Sequence, residues 1–231
     1  SLYSWASRGI VTRGLRRWLP VAGLLGLSFL LTNGIFDDWT FARWWGSTQQ
    51  GSNAALDTWR DPAFGQPLSF YFFALPLYGM VIAWLQTLLF SGAILFLVTT
   101  SFKNLRHRFQ DLQEGNPISF DELGIREAFR GLPLRITLVL FFLLLAVNFY
   151  LGRYDLLFED HGFLVGTDYV ATNISLPLIW LKVGSALLAA VLVLSRRIAT
   201  AGILLVGALV ISGIIPSVVN AISVRPNEIS L

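Results

Sequence analysis

Five apolar runs, each long enough to cross a lipid bilayer, constrain this chain more than any other feature. They cover residues 18–36, 74–99, 132–151, 175–194 and 198–220. A membrane-spanning helix needs about 20 predominantly apolar residues. Charged residues make up only 13% of the 231 residues, whereas soluble domains carry roughly 25%. The sequence therefore predicts an all-α fold, an integral membrane bundle of about five helices. The same composition argues against an ordinary cytosolic enzyme and against a nucleic-acid-coating protein.

Prolines mark the predicted helix ends. Pro20, Pro76, Pro133 and Pro177 each fall in the opening turn of a run, where the missing N–H of proline has no helical partner to lose. Ser175 precedes the fourth run, and we expect it to act as the N-cap. Pro216 lies late in the fifth run, where it predicts a kink or the end of regular helix.

The distribution of basic residues predicts the orientation. Twelve of the 17 basic residues fall before the first run, between the second and third runs with the edge of the third, or between the fourth and fifth: Arg8, Arg13, Arg16, Arg17, Lys103, Arg106, Arg108, Arg126, Arg130, Arg135, Arg196 and Arg197. Four others fall on the opposite side. Because cytoplasmic loops carry the excess of Lys and Arg, we expect the amino end inside the cell and the carboxyl end outside.

The predicted outer loop 37–67 carries a cluster of aromatic side chains: Trp39, Phe41, Trp44 and Trp45. Tryptophan is enriched at the level of lipid headgroups, so the cluster predicts a segment lying in that layer. It also supplies the candidate contact residues for a protein partner. A role in contacting a pigment or a quinone is the less favoured alternative.

The cytoplasmic loop 101–131 predicts interfacial helices. Phe102, Leu105, Phe109 and Leu112 recur at helical spacing beside basic residues, a pattern typical of a helix lying on an anionic leaflet. The Glu114–Pro117 stretch would end this helix, and a second short helix would follow it.

The second outer loop, 152–174, contains a polar cluster: Arg153, Asp155, Glu159, Asp160 and Asp168. Carboxylates could hold a divalent cation, but the spacing is not that of an EF-hand loop. The favoured interpretation is a solvated acidic loop in which Arg153 pairs with Asp155 or Asp168. His161 is a candidate axial ligand for chlorophyll, although a hydrated loop histidine is the more ordinary interpretation.

Three polar residues lie in or near the ends of apolar runs: Asn148, Lys182 and Asn220. An ionisable group within a span is a candidate functional residue because its burial is costly, although Lys182 is close enough to an end to snorkel outward. No Asp or Glu falls inside any predicted span, which argues against a pump or a secondary transporter. The two amides are candidates for hydrogen bonds between helices.

The chain contains no Cys, two His and one Met. These counts leave no thiolate ligands and nearly exclude sites built from several His or Met. No phosphate-binding loop, HExxH or nucleophile-elbow pattern is present. We therefore predict no catalytic residue, no metal site and no enzymatic activity for this portion.

Three stretches together resemble the uncharacterised protein family 0182 of bacterial membrane proteins. They are Asp61-Pro62-Ala63-Phe64-Gly65 with Ser69–Pro76, then Arg153–Phe158 with Gly166, Tyr169 and Leu176-Pro177, and finally Pro216 with Val224–Glu228. The chain departs from the family at Pro67, where an acidic residue is usual, and at Val170–Ala171, where a Thr-Asp pair is usual.

The resemblance implies a further span upstream, a large soluble domain after the Pro-Asn-Glu stretch, and residence in a bacterial inner (plasma) membrane or a thylakoid membrane. It brings no established activity. The leading hypothesis is a membrane-anchored scaffold, an accessory or assembly subunit in contact with the lipid bilayer and other membrane subunits. The alternatives are a channel or transporter component that uses Lys182 and the acidic loop, and a subunit that binds chlorophyll or carotenoid in a phototrophic source.

Overall fold

The computed structural model describes residues 37–49, 57–111, 131–158 and 171–219, together with the single residues 23, 26, 129 and 222. In these ranges the chain forms five α-helices: α1 (Asp38–Gln49), α2 (Leu75–Asp111), α3 (Leu132–Leu151), α4 (Leu176–Leu194) and α5 (Ile198–Val219). The β-type pairing in the described ranges is one isolated bridge between Arg60 and Pro67. The predicted all-α fold is confirmed.

Four helical stretches in the described residues are long and apolar enough to cross a membrane: Phe70–Thr100, Leu132–Leu157, Thr172–Leu194 and Ile198–Val219. They correspond to the second to fifth predicted runs. The first predicted run, 18–36, lies outside the described residues except for Gly23 and Gly26, which are both helical.

Each of the long helices packs on its neighbour in the chain. Helix α2 contacts α3, α3 contacts α4, and α4 contacts α5. Among the described residues, α2 and α5 make no extensive contact with each other, so these four helices form an open row. Helices α3 and α4 therefore lie inside the row, and α4 has the most buried side chains.

Small side chains form the buried face of α4. Ser185, Ala186, Ala189 and Ala190 are buried together with Val193, and Phe142 of α3 and Ala201 of α5 complete this core. Small residues let helix backbones approach closely in a lipid environment, where packing replaces the hydrophobic effect between helices. The glycines of α5 do not serve this purpose, because a Cβ added at Gly202, Gly207 or Gly213 would meet no heavy atom within 4 Å.

Two helices begin earlier than their prolines predict. A π-helical turn, Phe70–Ala74, leads into α2, and a second, Ala171–Ser175, leads into α4. The Leu75 N–H bonds the Phe70 carbonyl five residues back. Wider turns of this kind help to satisfy carbonyls near a proline that lacks an N–H. The prediction of Ser175 as an N-cap is wrong, because its backbone is already helical and its side chain makes no capping hydrogen bond.

Two predicted helix ends also differ from the structure. Helix α2 runs without interruption to Asp111, so residues 101–111 extend the second run and do not begin a separate interfacial helix. No Gly or Pro lies between Ala93 and Asp111 to end it. Helix α5 continues through Pro216 to Val219, so regular helix does not end at this proline, and the alternative of a kink there stays a prediction. The Ser217 hydroxyl donates to the Gly213 carbonyl at 3.0 Å, which compensates in part for the backbone bond that proline disturbs.

Candidate functional site

One end of the helical row carries most of the buried polar contacts. It comprises α1, the loop 57–69, the start of α2 and the 3₁₀ turn Gly152–Leu157 that follows α3. We call it the aromatic end, because the rings of Phe64, Phe70, Tyr71, Tyr154 and Phe158 meet there.

Asp61 is the buried charge of the aromatic end. Asp61 is only 3% exposed to solvent. One carboxylate oxygen accepts from the Ala63 N–H at 2.9 Å, and the other accepts from the Phe64 N–H at 2.6 Å. The Tyr71 hydroxyl donates to the same carboxylate at 2.9 Å. An aspartate that bonds the N–H groups two and three residues ahead closes a tight turn, so Asp61 shapes its own loop and joins it to α2.

The turn is completed by backbone contacts. The Gly65 N–H donates to the Asp61 carbonyl at 2.8 Å, and the Asp61 N–H donates to the Gln66 carbonyl at 2.9 Å. Gly65 has a φ of 69°, a left-handed conformation that glycine adopts without steric cost. The loop is therefore ordered by its own sequence, Asp-Pro-Ala-Phe-Gly.

Tyr154 connects this loop to the end of α3. The Tyr154 side chain is buried, and its ring lies 5.2 Å from that of Phe64, 4.9 Å from Phe70 and 5.8 Å from Tyr71, measured between centroids. All three contacts are edge-to-face, the arrangement that aromatic pairs prefer. Two stretches about 90 residues apart, each part of the family resemblance, thus form one cluster.

Arg153 lies against the same cluster. Its guanidinium carbon is 4.0 Å from the ring centroid of Tyr150, 4.6 Å from that of Tyr154 and 5.5 Å from that of Phe64. Its Nη2 donates to the Tyr154 hydroxyl at 2.5 Å. Among the described residues, Arg153 interacts with rings and a hydroxyl, and the predicted pairing with Asp155 is absent. The possible partner Asp168 lies outside the described residues.

Helix α1 presents the predicted aromatic residues. Trp39 and Trp45 are 67% and 53% exposed, and Phe41 is also exposed. The rings of Phe41, Trp44 and Trp45 lie 6.0–6.5 Å from one another. We call Trp39, Phe41, Trp44 and Trp45 the α1 patch.

Asp37 caps α1 and helps to fix it in place. Its carboxylate accepts from the Trp39 and Thr40 N–H groups at 3.2 and 3.1 Å and from the Thr40 hydroxyl at 2.6 Å. The Thr40 hydroxyl is the largest cause of a pKa below the ordinary value of 3.8 for this carboxyl. The Asp37 N–H also donates to the sulfur of Met80 in α2 at 3.2 Å, so the start of α1 is tied to the helical row.

The other predicted site residues are dispersed. Lys182 is half-buried, with its Nζ 5.7 Å from the ring centroid of Phe149. Asn148 is exposed, and so is Asp155. The remaining predicted positions lie outside the described residues: Glu159, Asp160, His161, Asp168 and Asn220. In the part of the chain that the structure describes, no three His, Asp or Glu side chains come close enough to hold a metal ion.

Sequence reasoning missed the central residues of the aromatic end, Asp61 and Tyr71. A usable signal existed for Asp61, since an Asp-Pro pair followed by Gly is typical of a tight turn. It also missed Gln86, whose Nε2 is buried without a hydrogen-bond partner among the described residues. An amide in the middle of an apolar run would have been the signal there.

The fold defines an all-α protein with several helices of membrane-crossing length and hydropathy. The profile of the uncharacterised protein family UPF0182 matches residues 10–231. The chain belongs to this family, as the resemblance implied.

Relatives in this family come from diverse bacteria. A UPF0182 protein of Solibacter usitatus is 38% identical over 98% of this chain, which corresponds to 25% of the relative. One from Cupriavidus necator is 31% identical over 91% of this chain and 22% of its own length. One from Thermosynechococcus vestitus is 28% identical over 92% of this chain and 23% of its own length. The chain therefore spans about a quarter of the length of these relatives. No solved structure matches the chain.

Proposed function

We propose that this chain is the membrane part of a larger protein and acts as a membrane-anchored scaffold, an accessory or assembly subunit that does not itself catalyse a reaction. The observation that carries the proposal is the ordered aromatic end. Asp61, Tyr71 and Tyr154 join a loop to two helices, and α1 presents exposed aromatic side chains beside them. Tryptophan and tyrosine are enriched where proteins contact one another and where they meet headgroups.

The α1 patch is the proposed contact surface for other membrane subunits. Trp39, Phe41 and Trp45 are exposed, whereas Trp44 is half-buried and Thr40, on the same helix, is buried, so three of the four side chains of the patch remain accessible on an anchored helix. Large aromatic residues of this type dominate the energy of many protein interfaces.

Mild solubilisation of the full-length protein from native membranes, followed by affinity purification and mass spectrometry, tests the proposal. We expect a stoichiometric partner that is lost when Trp39 and Trp45 are both replaced by Ala. The matched control is Phe90→Ala in α2, an exposed aromatic residue away from the patch, which should retain the partner. A protein that purifies alone and colourless in stable form would contradict the scaffold hypothesis, and an absorption band in the visible range would favour pigment binding.

The proposed orientation has the amino end in the cytoplasm, with the aromatic end on the extracytoplasmic side of a bacterial inner or thylakoid membrane. The charge distribution supports it. Since this chain contains no Cys, single cysteines at Gln49 and at Arg197 can be labelled in intact cells with an impermeant maleimide, in a full-length protein freed of other cysteines. We expect labelling at Gln49→Cys alone, with Arg197→Cys labelled only after permeabilisation. The reverse pattern would overturn the orientation.

A transport role is the second candidate, favoured by the half-buried Lys182 beside Phe149. The full-length protein in liposomes would then conduct ions, and Lys182→Met would change the conductance or its ion selectivity. Absence of conductance under an applied potential would count against this candidate and leave the scaffold proposal untouched.

A further inference from the structure

The guanidinium of Arg153 lies near three aromatic rings and makes one side-chain hydrogen bond among the described residues. Tyr150 lies closest, 4.0 Å from the guanidinium carbon, and Tyr154 and Phe64 follow at 4.6 and 5.5 Å. Arginine stacks on aromatic faces while its N–H groups project in the plane of the guanidinium. The Tyr154 hydroxyl accepts one hydrogen bond from Nη2, and the other N–H groups of Nη1 and Nη2 have no hydrogen-bond acceptor among the described residues.

The charge of Arg153 lacks a carboxylate partner within the described residues. Its Nε is buried and makes no hydrogen bond there. Asp61, the buried acid nearby, uses its oxygens for the Ala63 and Phe64 N–H groups and the Tyr71 hydroxyl. A partly buried cation without an anion is costly, and a bound anion would remove that cost.

The position of Arg153 indicates the kind of anion. Helix α3 has 20 residues, a length of about 30 Å, which equals the thickness of the hydrocarbon core. Arg153 comes two residues after its end, so in a bilayer whose hydrocarbon core α3 spans it would lie near the level of the headgroup phosphates. Tyr150 also packs edge-to-face on Trp180 at 5.8 Å, and Trp180 is 53% exposed, as expected for an aromatic residue at the membrane boundary.

We propose that Arg153 is a binding site for a phosphate oxyanion, and that the phosphate belongs to a phospholipid headgroup. The planar guanidinium can donate two parallel hydrogen bonds to phosphate oxygens, a geometry that lysine cannot reproduce. Tyr150 and Tyr154 would fix the orientation of the donor plane, and Trp180 would contact the lipid beside it. The inference rests on the membrane placement made in the proposed function.

The experiment uses delipidated full-length protein in detergent. Thermal unfolding is followed while dioleoyl phosphatidylglycerol is added, and in a parallel series while inorganic phosphate is added. At lipid concentrations far above the dissociation constant we expect the Tm to rise by about 4 °C or more, with no rise from inorganic phosphate. Arg153→Gln should abolish the rise. The control Arg43→Gln removes an exposed arginine of α1 that donates a 3.4 Å hydrogen bond to the Thr40 hydroxyl, and it should retain the rise.

Arg153→Lys and Tyr150→Leu keep the test decisive if Arg153→Gln fails to fold. The lysine variant keeps the charge without the bidentate geometry, so it should need roughly tenfold more lipid for the same rise. An equal lipid response in all variants would overturn the proposal, and a rise with inorganic phosphate alone would overturn the lipid source. If Asp168→Asn destabilises as much as Arg153→Gln and lipid affects neither, the cation has a partner in its own chain and the proposal is wrong. The membrane placement is tested separately by washing membranes with alkali. A protein that stays in the washed membranes keeps the membrane placement even if the lipid-binding proposal fails.

Discussion

At the aromatic end, a buried carboxylate, an arginine and several rings join segments that are far apart in the sequence. Along α4 and α5, by contrast, all of the buried side chains except Ile179 are alanine, serine or valine. The first region depends on a few directional interactions that each fix one loop or turn. The second depends on the close approach of helices that are adjacent in the chain. The two regions should therefore respond differently to substitution.

Removing the Asp61 carboxylate tests the first region most severely. Asp61→Ala leaves two backbone N–H groups and the Tyr71 hydroxyl without their acceptor. Since each buried donor left unsatisfied costs about 1–3 kcal/mol, we expect a loss of about 3–5 kcal/mol in the free energy of unfolding, measured by denaturant titration in detergent micelles. Limited proteolysis should cut the loop 57–69 faster while the α4–α5 turn stays protected. Equal protection of the loop in both proteins would contradict this account of the aromatic end.

Overpacking α4 tests the second region. Ala189 is fully buried, so Ala189→Leu forces the helices apart and should cost about 1–3 kcal/mol in the free energy of unfolding. Gly184 is the matched control on the same helix, because a Cβ added there meets nothing within 4 Å. Gly184→Leu should leave stability unchanged or slightly higher. A similar loss in both variants would indicate that another protein surface covers Gly184.

A smaller change at the aromatic end removes one hydroxyl. Tyr71→Phe deletes the donor to Asp61 but keeps the ring contacts with Phe70 and Tyr154. We expect a loss of about 1–2 kcal/mol in the free energy of unfolding, since the bond is made to a charged acceptor. Tyr78→Phe is the control, because Tyr78 is exposed. Among the described residues, the Phe70 ring is the one aromatic ring that it contacts. Thermal unfolding of the two variants side by side decides whether the hydroxyl or the ring matters.

The smallest expected effect is confined to α1 and depends on pH. The Thr40 hydroxyl, followed by the Trp39 and Thr40 N–H groups, holds the pKa of Asp37 below its ordinary value of 3.8. The carboxylate therefore stabilises α1 above pH 3.8, and this contribution is lost as the pH falls through the lower pKa of the folded state. Tryptophan fluorescence should report loosening of α1 on acidification. Asp37→Ala should show the loosened signal already at neutral pH, and a pH-independent signal in the unaltered protein would refute the cap.

Some local features of the aromatic end were readable in advance and others were not. The Asp61 turn follows from residues within five positions of one another, so its sequence signal was available. Its contact with Tyr71 and the approach of Tyr154 depend on how α2 and α3 are placed side by side. Arg153 shows most clearly what the sequence alone could not predict. The acidic residues around it in the sequence predicted a carboxylate partner, whereas in the folded chain its guanidinium lies against aromatic rings.

By itself the sequence determined the all-α class and the family, and it located four of the apolar helices to within a turn or two at most ends. These features depend on local hydropathy and on motifs that are contiguous in the chain. The tertiary structure decided that α4 lies inside the row, that Ala189 is buried while Gly184 is open, and that Asp61, Tyr71 and Tyr154 meet. In an apolar helix every face has similar hydropathy, so only the packing of neighbouring helices can distinguish the face that meets protein from the face that does not.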